Sequence, residues 1–334
     1  TFVIVFYPKD GTSPVQERQM TTQEGGNVGV CAVEGNFDDA QSGVKRLFSD
    51  PAFRAETARR GYALSAANSI NVGRLVPQIA YYVHAYAEMV RRAEVKPGSP
   101  VNFCVPTGNF GNILAGLYAW KMGLPVGRLI CASNRNRILT DVLTTGRYSL
   151  DRDFYLTPSP SMDILISSNF ERAIHLMGGN DPSLTLGLME NLRENKSFLL
   201  PDHVMSNFRQ HFSAYSCDDE ETLSEIYKSH RATGKLFDPH TAVAQKCLRD
   251  YQRDTGDDTP SVVLATADPF KFPETMLRAL GKDAAPGADS LRALSEASGH
   301  PVSERLEAVM RRPVRFEGSV RPEAMAETAL SFLM

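Results

Sequence analysis

The chain has 334 residues, of which 42% are hydrophobic and 22% charged, and its formal net charge is −3. This composition is typical of a globular protein that is large enough for two packed domains. The charges show no basic excess that would indicate nucleic acid and no polybasic run that would indicate a membrane surface. No apolar run reaches the roughly 18 residues that predict a transmembrane helix.

The cysteines indicate reduced, buried thiols. They lie far apart, mostly among apolar residues, and form no C-x-x-C pair. This spacing argues against a disulfide framework and a zinc site, so we expect no metal ion and a cytoplasmic location. The cysteines are Cys31, Cys104, Cys131, Cys217 and Cys247.

Strands and helices are predicted to alternate from the start of the chain. Residues 1–7 are all β-branched or aromatic and predict a buried strand. A helix is predicted from Ser13 to Thr22, with Pro14 at its first position, and a strand from Val28 to Val33. A further helix is predicted from Phe37 to about Phe48.

The strongest helix prediction covers residues 69–91. Either Asn68 or Ser69 is a suitable N-cap. Apolar residues recur there at the three- and four-residue spacing of one helix face. They are Leu75, Ile79, Val83, Tyr86 and Val90.

The middle of the chain continues the alternation. Strands are predicted at residues 101–105 and 128–132, and helices at residues 113–122 and 137–145, the second ended by Gly146. Such alternation predicts a parallel sheet that is covered by helices on both faces.

The second half is predicted to be more helical. Residues 150–235 are more polar, with helices predicted at Ile164 to Met177 and Glu221 to Ala232, and are interpreted as an insertion or a lobe boundary. A helix from Asp238 to about Tyr251 precedes a late buried strand, Ser261 to Thr266.

The junction at residues 101–112, VNFCVPTGNFGN, indicates a possible anion site. A strand there leads through a loop into a helix, whose first N–H groups and dipole attract anions. Gly108 and Gly111 would let a phosphate approach the backbone. Dinucleotide folds have G-x-G-x-x-G, and a P-loop has Lys and Ser or Thr where Asn112 and Ile113 stand. The residues alone leave a phosphate cup and a plain structural turn equally open.

Four loops rich in small polar residues are predicted to lie at strand ends or helix starts. In open α/β sheets, ligands bind at the carboxyl ends of the strands, so these loops are expected to form one polar cleft. No Ser-His-Asp set or Cys-His pair is suggested by the spacing. The loops are residues 65–74, 106–112, 159–163 and 265–269.

A family resemblance extends from residue 1 to about residue 280. The chain closely resembles threonine synthase, a pyridoxal-phosphate (PLP) enzyme of fold type II, in SAANSINVGRLVPQ, VPTGNFGNILAG, ICASNRNRILTDVLTTGRY, SPSMDILISSNFER, FDPHTAVA and ATADPFKFPE. This resemblance implies a three-layer α/β/α fold with mostly parallel sheets, similar to the tryptophan synthase β chain and incomplete at its N-terminus. It implies the remainder of a smaller domain at 1–60, a large PLP-binding domain at 61–280 with a helical insertion near 150–235, and a C-terminal helical segment at 281–334.

The resemblance implies how PLP would be held. The family's cofactor-phosphate loop matches Gly108, Asn109, Phe110, Gly111 and Asn112. Its hydroxyl partner of the pyridine nitrogen matches Thr266, although a threonine there is also a plausible strand-end cap. A neutral hydroxyl leaves the ring nitrogen unprotonated, which gives a milder electron sink.

The resemblance also implies a substrate segment. The family's contacts to its phosphorylated substrate match Ser69, Asn71 and Arg74, and an arginine can bind a phosphate with two hydrogen bonds. The alternative is a helix cap and a surface arginine.

Four other residues in the matching runs receive weaker interpretations. Asp163 and Asn169 are expected only to shape the cleft, and His240 to be structural. The family often has histidine where this chain has Asp268, so any role of that histidine is in doubt here.

The family's Schiff-base lysine has no match in this chain. It lies in an F-K-D context upstream of a T-S-G-D-T-G segment, and neither occurs here. The chain also opens inside a predicted strand, so we expect it to be the carboxyl-terminal part of the enzyme. The lysine would then lie outside it, and this chain alone would be inactive.

The resemblance implies the conversion of O-phospho-L-homoserine and water to L-threonine and phosphate, within threonine biosynthesis. Two alternatives remain open: a threonine-synthase-like phospholyase, or a lysine-less chain that binds PLP or phosphate without turnover. The expected partner is the small substrate, with no nucleic acid and no membrane, and the chain is expected to be a monomer or a homodimer.

Overall fold

The computed structural model describes residues 1–9, 11–35, 37–283 and 288–333. The contacts divide the chain into two compact units. Unit 1 comprises residues 1–66 and 270–334, and unit 2 comprises residues 67–269. The domain division proposed from the sequence stays a prediction, and residues 10, 36, 284–287 and 334 of it lie outside the described residues.

The strands are short and mostly apolar. They are β1 (Val3–Pro8), β2 (Val28–Val33), β3 (Val101–Pro106), β4 (Val126–Ser133), β5 (Arg147–Ser149), β6 (Ser197–Leu199), β7 (Phe212–Ser216), β8 (Ser261–Val263) and β9 (Ser319–Val320).

The helices separate these strands along the chain. They are α1 (Pro14–Thr21), α2 (Phe37–Ser49), α3 (Pro51–Arg59), α4 (Val72–Arg91), α5 (Gly111–Lys121), α6 (Ile138–Thr145), α7 (Phe170–Met177), α8 (Pro182–Asn195), α9 (Asp202–His211), α10 (Asp219–Thr233), α11 (Pro239–Thr255), α12 (Pro273–Ala279), α13 (Ala288–Ser298), α14 (Glu304–Arg311) and α15 (Met325–Phe332). Short 3₁₀ turns occur at Pro160–Met162, Pro269–Lys271 and Pro322–Ala324.

Unit 2 is built on a four-stranded parallel sheet in the order β7-β4-β3-β8. Alternate residues of β3 and β4 enter two separate cores, one on each face of the sheet, because successive side chains of a strand point in opposite directions. These buried residues are Phe103, Val105 and Leu129 in one core and Cys104, Ile130 and Ala132 in the other. The predicted α/β class with parallel sheets is therefore confirmed.

Unit 1 contains a smaller parallel sheet in the order β1-β2-β9. Helix α1 starts with a capping box, because the Ser13 hydroxyl accepts from the Gln16 N–H and the Gln16 side chain accepts from the Ser13 N–H. Pro14 occupies its first turn, as predicted. Strand β9 near the end of the chain pairs with β2, a pairing that sequence periodicity did not reveal.

Helix α4 differs from its prediction in two ways. Its N-cap is Asn71, whose side chain accepts from the Gly73 N–H at 2.7 Å, and not Asn68 or Ser69. Val83, predicted on the buried face, is 47% exposed, whereas Tyr82 is fully buried. The tyrosine takes the core position because its hydroxyl finds hydrogen-bond partners there, as a buried tyrosine needs.

Two other predicted element bounds were wrong, and the prediction for the polar stretch was incomplete. Strand β8 ends at Val263 and not at Thr266. Helix α7 starts at Phe170 and not at Ile164, because the preceding residues bond to neighbouring loops instead of to a helix. The polar stretch 150–235 contains a sheet strand, β7, which pairs with β4 and was not predicted. Across the described ranges, we found no helix that is both long enough and apolar enough to span a membrane.

Candidate functional site

The candidate phosphate cup is the loop Gly108–Asn112, between β3 and α5. All six residues of β3 are buried. Phe110, at the N-cap position of α5, has a φ of 59°, in the left-handed region that non-glycine residues rarely adopt. Its buried ring packs against Phe170 and Phe212, with centroids 5.1 and 5.8 Å away. Aromatic packing thus holds the loop in an unusual backbone conformation at the start of the helix.

The first turn of α5 presents free donors. Its N-cap residue makes no side-chain capping bond, and the first helical bond runs from the Leu114 N–H to the Phe110 carbonyl, at 3.2 Å. Among the described residues, nothing accepts from the N–H groups of Gly111, Asn112 or Ile113. Three donors at the positive end of a helix dipole are suited to bind an anion.

The two glycines of the cup have different structural requirements. A Cβ atom on Gly108 would lie 2.8 Å from the Ser161 carbonyl oxygen, which is too close. A Cβ atom on Gly111 would lie no closer than 3.5 Å to a described atom, the Asn169 side-chain nitrogen, which is an ordinary contact. We expected both glycines to make room for a phosphate, but Gly108 makes room for protein backbone.

Tyr82 of α4 anchors the helix end of the cup. Its hydroxyl donates toward the Asn112 carbonyl oxygen at 2.8 Å and the Asn112 side-chain oxygen at 2.9 Å. Burial raises the pKa of Tyr82 well above its ordinary value, so the hydroxyl stays protonated. The Asn112 side chain is thereby oriented with its oxygen toward the core and its NH₂ group available for other partners.

The turn before α7 holds the other end of the cup. The Ser167 hydroxyl donates to the Gly108 carbonyl at 2.8 Å, and the Ser168 hydroxyl donates to the Asn109 side-chain oxygen at 3.1 Å. The fully buried Asn169 donates from its side chain to the Asn109 carbonyl at 2.9 Å.

Ser69 is brought to this same turn. Its hydroxyl lies 3.3 Å from that of Ser168, and its carbonyl accepts from the Asn169 side chain at 3.0 Å. Asn71 caps α4, and the exposed Arg74 donates to the Ala67 carbonyl at 3.1 Å. The substrate segment predicted from the sequence therefore begins beside the cup, and its arginine lies at the surface.

Thr266 lies just past β8, which pairs in parallel with β3. The Leu264 N–H continues that ladder by donating to the Cys104 carbonyl at 3.0 Å. Thr266 and Asp268 are exposed in the segment that follows. Because β3 leads into the cup, Thr266 leaves the sheet at the same edge as the cup.

Asp163 is the centre of a buried hydrogen-bond network (the polar knot) and does not line the cup itself. Its carboxylate accepts from the side-chain amides of Asn134 and Asn136, at 2.7 and 2.9 Å, and from the N–H and hydroxyl of Thr157, at 2.9 and 2.7 Å. Burial raises its pKa although these hydrogen bonds act in the opposite direction. The knot fixes the 155–163 loop above the end of β4.

His240 also has a structural position. It lies in the first turn of α11, its Nδ1 atom is 2.8 Å from the Asp238 carboxylate, and its Nε2 atom accepts from the Ser161 N–H at 3.2 Å. Because Nε2 accepts, the ring proton is on Nδ1, facing Asp238. The pair holds Ser161, whose carbonyl in turn packs on Gly108.

All five cysteines are buried and free, in agreement with the prediction of reduced thiols. Burial raises the pKa of the Cys131 and Cys217 thiols to about 12, and raises those of Cys31, Cys104 and Cys247 as well. Such thiols are poor nucleophiles and poor metal ligands.

Comparison with known proteins indicates the family of the chain. Residues 241–327 match the family model "Threonine synthase, C-terminal". The chain is 42% identical over 280 residues to threonine synthase-like 1 of Macaca fascicularis, covering 83% of this chain and 37% of that protein. It is 40% identical over 277 residues to threonine synthase of Pseudomonas aeruginosa, covering 83% and 56%.

Solved structures give the same result. The crystal structure of PLP-bound threonine synthase from Brucella melitensis superposes with a TM-score of 0.81 at 36% identity, covering 99% of this chain and 65% of that one. The yeast threonine synthase structure also gives 0.81, at 29% identity, covering 99% and 64%. The chain is a threonine synthase-like protein. The predicted fold type II is confirmed, and the chain spans between about a third and two thirds of the length of these relatives.

Sequence reasoning missed several residues that build the candidate site. Tyr82, Ser167, Ser168 and Arg172 were given no role. A tyrosine on the apolar face of α4 was the available signal for the first, because a buried hydroxyl requires a partner. The serines lie in the quoted SSNFER run, but nothing in their spacing indicated that they bond to a loop about 60 residues away.

A separate cavity lies within unit 1 of the threonine synthase-like protein. It has a volume of about 640 Å³, and its polar lining includes Tyr7, Glu17 and Arg18. Tyr7 donates to Glu17 at 3.1 Å, and Arg18 donates to the Arg312 carbonyl at 2.8 Å. None of the site residues predicted from the sequence lines it.

Proposed function

We propose that the Gly108–Asn112 cup binds the phosphate group of PLP. The observation that carries this proposal is the set of three N–H groups at the start of α5 that have no acceptor among the described residues. The space beside Gly111 supports it, because the surrounding protein would tolerate a Cβ atom there and so does not itself require a glycine. A phosphate dianion would satisfy the donors and use the space.

Thr266 is proposed to be the hydroxyl partner of the pyridine nitrogen. Its position after β8, at the sheet edge that also carries the cup, supports this role. When bound, PLP supplies an electron sink that stabilises negative charge on the substrate carbon next to the amino group. A neutral hydroxyl beside the ring nitrogen leaves that nitrogen unprotonated and moderates the sink.

Ser69, Asn71 and Arg74 are proposed to bind the phosphate of the substrate. Ser69 is anchored beside the cup, and the exposed Arg74 guanidinium keeps donors for an incoming anion. Two phosphate groups, one from the cofactor and one from the substrate, would then be held by neighbouring segments. This requirement fits O-phospho-L-homoserine, which carries an amino-acid group and a phosphate on one short chain.

The proposed reaction of the complete protein is the conversion of O-phospho-L-homoserine and water to L-threonine and phosphate. A phospholyase that converts the same substrate and water to 2-oxobutyrate, ammonia and phosphate is the second candidate. Two observations support the phospholyase as a candidate. The relative at 42% identity is named threonine synthase-like 1, and Asp268 stands where the family often has histidine. A lysine-less chain that binds PLP without turnover is the third.

A product assay separates these candidates. The complete polypeptide is incubated with PLP and O-phospho-L-homoserine, and threonine, 2-oxobutyrate and phosphate are quantified. Threonine equal to the released phosphate supports the synthase, and 2-oxobutyrate equal to the phosphate supports the phospholyase. PLP binding without phosphate release supports the binding chain, and absence of PLP binding contradicts all three.

The attachment lysine is proposed to lie outside this chain, since Lys9, Lys121, Lys235 and Lys271 stand in no F-K-D context. Borohydride reduction of the complete PLP-loaded protein, followed by peptide mapping, tests this directly. We expect the pyridoxyl-lysine in a peptide outside residues 1–334. A modified lysine within those residues would refute the proposal.

A further inference from the structure

The turn before α7 connects two chain segments that are distant in sequence. Asn169 lies 60 residues after Asn109 and 100 residues after Ser69, and its side-chain nitrogen donates to the carbonyl oxygens of both. Its backbone N–H also donates to the Asn109 carbonyl, at 3.1 Å. Because Asn169 is fully buried, water cannot replace these bonds when they are lost.

Arg172 completes the connection. One guanidinium nitrogen donates to the Asn169 side-chain oxygen at 2.5 Å, and another donates to the Ile70 carbonyl at 2.8 Å. The amide of Asn169 is therefore bonded at both ends, with its oxygen facing Arg172 and its nitrogen facing the two carbonyls. Such a network has one low-energy arrangement, so displacing one segment disturbs the other.

We propose that Asn169 and Arg172 are positioning residues that couple the occupancy of the phosphate cup to the occupancy of the substrate segment. This inference rests on the proposed function, because it takes the two anions to be the phosphate of PLP and the phosphate of the substrate. An anion at the cup fixes the Asn109 loop, Asn169 transmits that order to Ser69 and Ile70, and the second anion meets a segment that is already ordered. Binding at each segment then strengthens binding at the other by the same factor.

In the proposed coupling each anion strengthens the binding of the other, which is opposite to what electrostatics alone would give. Two phosphate anions at neighbouring sites repel each other, which would make each weaken the binding of the other. A gain in affinity therefore requires the protein to connect the two segments. Asn169 lies at the junction without being an anion ligand in the proposal, since its side-chain nitrogen is directed at two carbonyl oxygens.

The test uses the complete polypeptide in its PLP-free form, with PLP and inorganic phosphate as probes. The dissociation constant for PLP is measured by absorbance at increasing phosphate concentrations. The data are fitted with phosphate competing for the cup and binding at one further site, so that the coupling factor is separated from competition. We expect phosphate at the further site to tighten PLP binding about fivefold or more in the wild-type protein. In Asn169→Ala the factor falls to about one. The control Asn207→Ala, which also removes an asparagine that donates to a carbonyl, here that of Met177, keeps the wild-type factor.

Arg172→Met is a second variant that breaks the same network, and it keeps the proposal testable if Asn169→Ala does not fold. Arg172 is half-buried, so methionine keeps most of its packing while removing the bonds to Asn169 and Ile70. Its factor is expected to fall below the wild-type value, while the variant still unfolds in one cooperative transition at a somewhat lower melting temperature. A wild-type factor of one or less, with PLP binding intact, overturns the coupling, as does a wild-type factor in both variants. Failure of wild-type PLP binding would instead overturn the proposed function.

Discussion

The carbonyl oxygen of Ser161 lies where a side chain on Gly108 would have to be, 2.8 Å from the position of a Cβ atom. The loop that contains Ser161 and the phosphate cup are therefore packed backbone against backbone. Gly111, three residues later, has no such neighbour. This difference allows the structural and the ligand-binding requirements of the cup to be tested separately.

Gly108→Ala is expected to destabilise the fold. The added methyl group would force Ser161 or the cup to move, and overpacking of this kind costs about 1–3 kcal/mol. Thermal or denaturant unfolding of the chain measures the loss. An unchanged free energy of unfolding would contradict the close packing of Gly108 on Ser161.

Gly111→Ala is expected to leave stability unchanged or slightly raised, because alanine is the better helix former at the start of α5. The methyl group would still occupy space beside the proposed phosphate, so PLP affinity should fall about tenfold, which corresponds to about 1.4 kcal/mol. Unfolding curves and PLP titration of the same preparation check both parts. A large loss of stability with unchanged PLP affinity would invert the assignment of the two glycines.

Tyr82→Phe is expected to loosen the helix end of the cup. The ring stays packed against Phe103, at a centroid distance of 5.0 Å, but the hydroxyl bonds to Asn112 are lost. We expect a loss of about 1–2 kcal/mol in unfolding free energy and weaker PLP binding. Tyr81→Phe is a matched control, since Tyr81 is 53% exposed and adjacent in sequence. Equal changes in unfolding free energy and PLP binding in the two variants would contradict a role of Tyr82 in holding the cup.

His240→Ala is expected to release Ser161. It removes the acceptor of the Ser161 N–H and a partner of the buried Asp238 carboxylate, so the free energy of unfolding should fall by about 1–3 kcal/mol. His175→Ala, in the half-buried His175–Thr185 pair, serves as the comparison and should cost less. If O-phospho-L-homoserine turnover survives in His240→Ala at a reduced rate, His240 is structural; complete loss of turnover in a stably folded variant would point to a direct chemical role.

The buried thiols predict a pH dependence of stability. Because burial raises the native pKa of Cys131 and Cys217 to about 12, the unfolded chain releases these protons first as the pH rises. Their contribution is fully present below about pH 9 and is lost as the pH rises toward 12, so the unfolding free energy should fall over that range.

The reaction rate with a thiol reagent measures the burial of the cysteines directly. At about pH 8 the native chain should react slowly at all five cysteines, and the unfolded chain should react rapidly at all five. One rapidly reacting cysteine in the native chain would contradict its burial.

The sequence predicted the parts of the fold that depend on local pattern. The alternation of strands and helices from β1 to α6, the position of Pro14 at the start of α1 and the Gly146 stop of α6 all follow from periodicity and from the backbone preferences of single residues. Strands β5, β6, β7 and β9 were missed because all four are short. The pairing partners of β7 and β9, which are β4 and β2, also lie far away along the chain.

The candidate site likewise contains residues that a local motif predicts and residues that only the folded structure reveals. The cup residues were found from their motif, and the position of Ser69 beside the cup agrees with the expectation of one polar cleft. Tyr82 and Ser167 hold the cup and Arg172 holds the neighbouring segment, through hydrogen bonds across 30 to 102 residues of chain, which no local pattern encodes. Asn169 was expected only to shape the cleft, and its two carbonyl partners became visible only in the folded chain.

The central claim is that the cup at Gly108–Asn112 binds the phosphate of PLP. The most direct test is titration of the complete protein with PLP in the wild type, in Gly111→Asp and in the control Gly187→Asp, where an added Cβ atom meets open space on α8. A carboxylate beside a bound phosphate costs several kcal/mol, so Gly111→Asp should bind PLP about 100-fold more weakly or not at all, and Gly187→Asp should bind as the wild type does. Wild-type PLP affinity in a folded Gly111→Asp protein would contradict the account.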